Sequence, residues 1–220
     1  MKTKLFLLLI FVSSILFGQD SIQNKTTETR LIAFTPLNKI EKVNGLAIGV
    51  GMDEIILPES QKKTINGLNL DINPLGFLLL CFYDTSRIHN TGDVLVQNGL
   101  NISLAGFLRN NSHNGINISM FSYGNKMNGI SITAVGNVVE ELNGIYIAGI
   151  GNYAKKGIGV TIGAFNEVKE FKGLQIGITN KSDKIKGVQI GLYNRNKSGR
   201  NLQIGFWNKN SKRTLPLINF

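Results

Sequence analysis

From Gly99 onward the chain alternates apolar residues with small or polar ones in short runs, each opening on a glycine. Gly129-Ile130-Ser131-Ile132-Thr133-Ala134 shows the pattern, with apolar side chains one, three and five places after the glycine. Successive side chains of a strand point to opposite faces, so each run predicts a strand with one apolar face and one small or polar face. β-Branched residues fill most apolar slots, as strands prefer. The run repeats. Gly173-Leu174-Gln175-Ile176-Gly177-Ile178-Thr179-Asn180 is followed by Gly187-Val188-Gln189-Ile190-Gly191-Leu192-Tyr193-Asn194 and by Asn201-Leu202-Gln203-Ile204-Gly205-Phe206-Trp207-Asn208. Earlier copies start at Gly99, Gly115, Gly129, Gly144 and Gly157, and looser ones at Gly45 and Gly67. Spacing is 13–16 residues from Gly99 onward, and longer before it.

The residue before the glycine is usually Asn or Lys, and the one before that is often apolar, as in Val43, Ile65, Met127, Leu142, Phe171 and Ile185. These lie three residues before the next apolar slot. A straight strand cannot accommodate that offset if all apolar residues share a face, so a turn or bulge is expected at each Asn-Gly. One unit is too small to offset its own ordering entropy, so stability has to come from neighbouring units.

The predicted class is all-β, made of tandem 13–16-residue strand repeats. A β-solenoid is favoured, each unit forming one coil with parallel strands. In it Asn180, Asn194 and Asn208 stack at a corner, and Gln175, Gln189 and Gln203 form a ladder on the outer face. The alternative is an antiparallel meander closed as a β-barrel in an outer membrane, with Leu31–Leu37 pairing with the final strand and Phe220 as a terminal aromatic. Three alternate apolar positions span about 13–17 Å. A lipid-facing band needs about 25 Å, and this difference favours stacked coils.

Composition adds an address and little chemistry. Lys2 and Lys4 precede the apolar run Leu5–Val12 and the small residues Ser13 and Ser14, which reads as a secretory signal peptide over residues 1–19. Residues 20–42 then form an N-terminal cap or first strand, and residues 43–220 a single repeat domain with an insertion at about 73–93. The expected location is the periplasm, outer membrane or cell surface. The net charge is +10 and, without Lys2 and Lys4, 22 basic residues face 14 acidic ones, or +8. The lysines are scattered through turns, which describes a solvated rim better than a nucleic-acid site. Cys81 is the sole cysteine, within an apolar stretch, so no internal disulfide is possible.

The repeated N/K-G-L/V-Q-I-G unit and the ending Arg213-Thr214-Leu215-Pro216-Leu217-Ile218-Asn219-Phe220 resemble bacterial surface repeat-containing proteins. The resemblance covers Val43 to Phe220 and is tightest from Phe171 onward. It implies export to the envelope or surface and carries over no activity, cofactor or catalytic residue.

A search for chemistry returns little. His89 and His113 are the only histidines, and with one cysteine they form no Cys/His metal set. His113, before an Asn-Gly corner, reads as an exposed turn residue. Asp84, His89 and Asp93 share a polar loop without a spacing that compels a site. Gly157-x-Gly159 opens no helix and is no dinucleotide fingerprint. Carboxylates are scattered, against the pairing that glycan cleavage requires. The expected role is therefore structural or binding, without catalysis, cofactor or metal. Two alternatives stand beside it, a small outer-membrane barrel protein and a glycan-active enzyme. Envelope glycans, lipid headgroups or another surface protein are the candidate partners, and nucleic acid is not one. The expected contact face is the polar one, with Tyr146, Gln175, Gln189, Tyr193, Gln203 and Trp207 as candidate contacts and Tyr123 and Tyr153 as further aromatic anchors.

Overall fold

A computed structural model describes residues 28–37, 39–53, 61–74, 92–107 and 111–220. The proposed signal peptide, Cys81, Asp84, His89 and most of the 73–93 insertion lie outside these residues. Among the described residues there are nine strands: β1 (Glu28–Thr35), β2 (Ile40–Gly49), β3 (Lys63–Asp71), β4 (Leu95–Ser103), β5 (Gly106–Phe107), β6 (Asn111–Ala148), β7 (Gly151–Ile162), β8 (Phe165–Lys209) and β9 (Thr214–Asn219). They form one sheet in the order β1-β2-β3-β4-β6-β7-β8-β9, with β5 beside β6. All pairings are parallel except β8 with β9.

β6 and β8 run for 38 and 45 residues, far beyond a straight strand, because extended pairing continues around the corners of successive coils. Asn166, Asn180, Asn194 and Asn208 all lie on β8, yet each of the first three donates its amide to the next, at 2.8–2.9 Å. Residues 14 apart on one strand can touch only if the chain winds once between them. The fold is thus the solenoid-like all-β arrangement. The closed antiparallel meander is corrected: the sheet is parallel and open, and β1, which spans most of Leu31–Leu37, pairs with β2 and not with the last strand. Among the described residues the strand direction reverses only at β9, where Asn210 Oδ1 accepts from the Lys212 and Arg213 amides at 2.9 Å and lays β9 antiparallel on β8.

Two details of the repeat also change. Gly159, not Gly157, sits in register with Gly144 and Gly173, so the unit starts two residues later there. The inward positions also carry straight through the leading glycine: Ile185 and Gln189, on either side of Gly187, are both fully buried. The three-residue offset arises because Ile185 points in while Val188 points out. The true shifts of parity come later in the coil, between Gln189 and Asn194 and between Ser182 and Ile185, and these are its corners.

The leading glycine remains a necessity. Gly129 has φ +123°, and a Cβ there would collide with the Gly115 carbonyl of the coil below. Close stacking at this column selects glycine from Gly45 to Gly187, and Asn201 takes the slot only in the last coil. The second glycine of the unit meets the same kind of contact and one more: at Gly191 a Cβ would collide with the Gly177 carbonyl oxygen and lie 2.6 Å from Asn180 Nδ2, which folds under it to bond the Ile190 carbonyl at 2.9 Å.

The interior is narrow and mixed. In the central coils it holds Met127, Val139, Leu142, Tyr146, Ala154, Val168, Phe171 and Ile185. A second apolar cluster, with Leu37, Val43, Ile65, Leu95 and Phe107, fills the N-terminal coils. In the C-terminal coils amides replace much of it. Gln189 Nε2 donates to Gln175 Oε1 at 2.8 Å, Gln203 Nε2 to Gln189 Oε1 at 2.9 Å, and Asn219 Nδ2 to Gln203 Oε1 at 3.1 Å.

Candidate binding face

The strands present the opposite face from the one expected. Gln175, Gln189 and Gln203 are 0% exposed, as are Asn101 and Asn117 in the same inward column. Their neighbours point to solvent. Ile116, Ile118, Ile130, Ile132, Ile145 and Ile147 are each 37–43% exposed, and Leu192 and Phe206 reach 63% and 73%. The polar outer face is therefore corrected: the Gln/Asn/Ser/Thr positions line the interior and the aliphatic positions line the outside.

Register turns these residues into two continuous columns. One runs Ile32, Leu46, Leu68, Leu100, Ile116 through the N-terminal strands and continues as Ile145, Val160 and Leu174. The other runs Phe34, Ile48, Leu70, Ile102, Ile118, then Ile147, Ile162 and Ile176, and ends with Ile204 against Ile218. No charged or polar residue interrupts either.

The other side of each coil carries the charge. Lys155 pairs with Glu140 at 2.6 Å and Lys197 with Asp183 at 2.8 Å, each across neighbouring coils and each largely exposed. Glu167, Lys169, Lys181, Asp183, Arg195 and Lys197 line a shallow groove there. Both signs are interleaved in it, so it presents no single-sign field to a ligand. Each coil is thus a thin slab with the aliphatic columns on one side, edged by an Asn column that gives way to Lys172, Lys186 and Arg200, and mixed charge on the other.

The proposed contact residues divide accordingly. Tyr146 is fully buried, its hydroxyl donating to the Met127 carbonyl and accepting from the Asn143 amide at 2.8 Å. Together with the three glutamines it is unavailable as a surface contact, because its inward parity puts it in the core. Tyr123 is buried as well, against Phe121. Tyr193 is half-buried, while Tyr153 and Trp207 are exposed. What reading the sequence missed was the sense of the two faces. A signal was present: the apolar residues two before the glycine share parity with the glutamines, so both cannot be explained unless the glutamines are also inside.

His113 is corrected too. It is 1% exposed, in the inward column beside Phe107, with ring centroids 5.8 Å apart. Burial pushes its pKa down to about 4, and so the ring is neutral. Asp93 accepts from Ser112 at 2.8 Å and Asn125 at 2.7 Å, which ties it to the stack.

The N-terminal coils also bury two carboxyls. Asp53 accepts from the Leu37 amide at 2.6 Å, and Asp71 accepts from the Ser103 hydroxyl and from Asn69 Nδ2, the latter at 2.7 Å. Burial raises both pKa values to about 6, partly offset by those donors. Their hydrogen bonds hold the loop after β2 and the end of β3, which is a structural task. Among the described residues no cluster of three or more His, Cys, Asp or Glu could hold a metal ion, and no helix is long and apolar enough to cross a membrane. No protein-family model, curated protein or solved structure matches the chain.

Proposed function

We propose that this chain is an exported envelope or surface protein with a structural or binding role, and that the aliphatic face is its working surface. The observation that carries the reading is the pair of uninterrupted outward aliphatic columns. Contiguous apolar patches beyond a few hundred Å² mark interaction surfaces on soluble proteins, and parallel sheets are ordinarily covered on both faces. The apolar segment at the N-terminus and the resemblance to bacterial surface repeat-containing proteins support the exported address. The mode of binding is apolar contact against a rigid, flat platform whose backbone polar groups are already paired along the stack. It requires no catalytic group.

Accessibility in the cell tests this. In a Cys81→Ser background, Ile147→Cys and Lys155→Cys place thiols on the aliphatic and charged faces. A membrane-impermeant maleimide applied to intact or outer-membrane-permeabilised cells is expected to label Lys155→Cys and to spare Ile147→Cys. Equal labelling would overturn the working face, and labelling of neither before lysis would overturn export.

A further inference from the structure

We infer that the aliphatic face packs against the same face of a second copy of this chain, the two related by a two-fold axis lying between the sheets. The inference rests on the reading of that face as the working surface and names its occupant.

Area is the first argument. About ten coils at about 4.8 Å spacing, by about five residues at about 3.3 Å each, give about 800 Å² per copy. Two copies together bury about 1,600 Å², which matches the size of a stable specific interface. The second argument is shape. Each column carries an apolar side chain, mostly Ile, Leu or Val, at each paired strand, so the face is a set of parallel ridges. Such a surface is complementary to itself, and aligned sheets interdigitate at about 10 Å separation. The third is charge. Neither column contains a charged residue, and the exposed Lys172, Lys186 and Arg200 flank one edge of the face, so the centre of the contact desolvates no ion. Lys155, Lys169 and Lys197 lie on the far side of each slab, where the two copies hold them apart and in water.

Sedimentation velocity on the exported chain, without detergent, is the test. The native chain is expected to sediment as a dimer at about 10 μM. Ile132→Lys combined with Ile147→Lys, both outward and mid-stack, is expected to weaken association by at least about a hundred-fold. Lys155→Glu on the opposite face is expected to leave the dimer unchanged. If the double-lysine variant fails to fold by circular dichroism, Ile132→Cys in a Cys81→Ser background replaces it, and a short bis-maleimide is expected to join two chains through that position. A dimer that survives the lysines, or that cannot be joined at Ile132→Cys, overturns the inference. A monomer that floats with phosphatidylglycerol and phosphatidylethanolamine vesicles overturns the second copy and leaves the working face standing. A monomer that ignores vesicles and reacts freely at Ile132→Cys overturns both.

Discussion

The central coils and the C-terminal coils share one backbone and one outer surface, yet fill their interiors with different chemistry. Between Met127 and Ile185 an aliphatic and aromatic cluster sits beside the column of Asn137, Asn152 and Asn166, and Tyr146 spans the gap to reach the Met127 carbonyl. From Gln175 to Asn219 an amide ladder occupies the corresponding column, flanked by Ser182 and Asn196. The ladder stops at Thr161, whose buried hydroxyl has no partner, and the neighbouring Gln175 Nε2 has none either. A hydroxyl this short does not bridge one coil spacing, whereas a glutamine amide does. An aliphatic interior is stabilised by area removed from water and tolerates small losses locally. An amide interior is stabilised by mutual satisfaction, and removing one rung leaves its neighbours buried and unpaired.

That contrast predicts unequal responses to mutation. Gln189→Leu carries the largest expected cost. It removes the acceptor of Gln203 Nε2 and of Asn201 Nδ2, at 2.9 and 3.1 Å, together with the donor to Gln175. At about 1–3 kcal/mol for each orphaned group, urea denaturation should show a loss of about 4 kcal/mol. Leu142→Ala in the aliphatic interior should cost somewhat less, about 3 kcal/mol, as transfer and cavity terms combine. If the aliphatic variant proved the costlier, the ladder would not be the more brittle half.

Tyr146→Phe keeps the ring and removes the two hydroxyl hydrogen bonds, so about 1–2 kcal/mol should be lost in the same assay. The smallest effect belongs to Thr161→Val. Its hydroxyl is buried without a partner, so an isosteric apolar replacement should be neutral or stabilising by up to about 1 kcal/mol. A clear loss there would show that the end of the ladder is satisfied by water.

The comparison extends to pH, because the N-terminal coils bury ionisable groups while the ladder is built from neutral amides. Asp53 and Asp71 have folded pKa values raised to about 6, above the ordinary carboxyl value of 3.8. The folded state therefore binds more protons than the unfolded state between about pH 4 and 6, and stability falls as pH rises through that window. His113, depressed to about 4, acts oppositely, adding stability as pH rises from about 4 to 6.5. Asp71→Asn should flatten the fall, and His113→Phe should steepen it, in thermal unfolding followed from pH 4 to 7. An unchanged profile in both variants would place the titrating groups elsewhere.

Much of this molecule was legible beforehand. The period-two alternation and the recurring Gly–Gln–Gly–Asn spacing determined an all-β array of short coils, and the Asn180, Asn194 and Asn208 column follows from the repeat length alone. Alternation distinguishes two faces but carries no sign. Only the closed path of the coil decides which face is enclosed, and it enclosed Gln175, Gln189 and Gln203 because their amides bond to one another at the coil spacing while the isoleucines do not. The same closure put His113 and Tyr146 inside and left the Ile116-to-Ile147 columns outside. Local sequence therefore determined the strands, and tertiary winding decided which side of them meets the world.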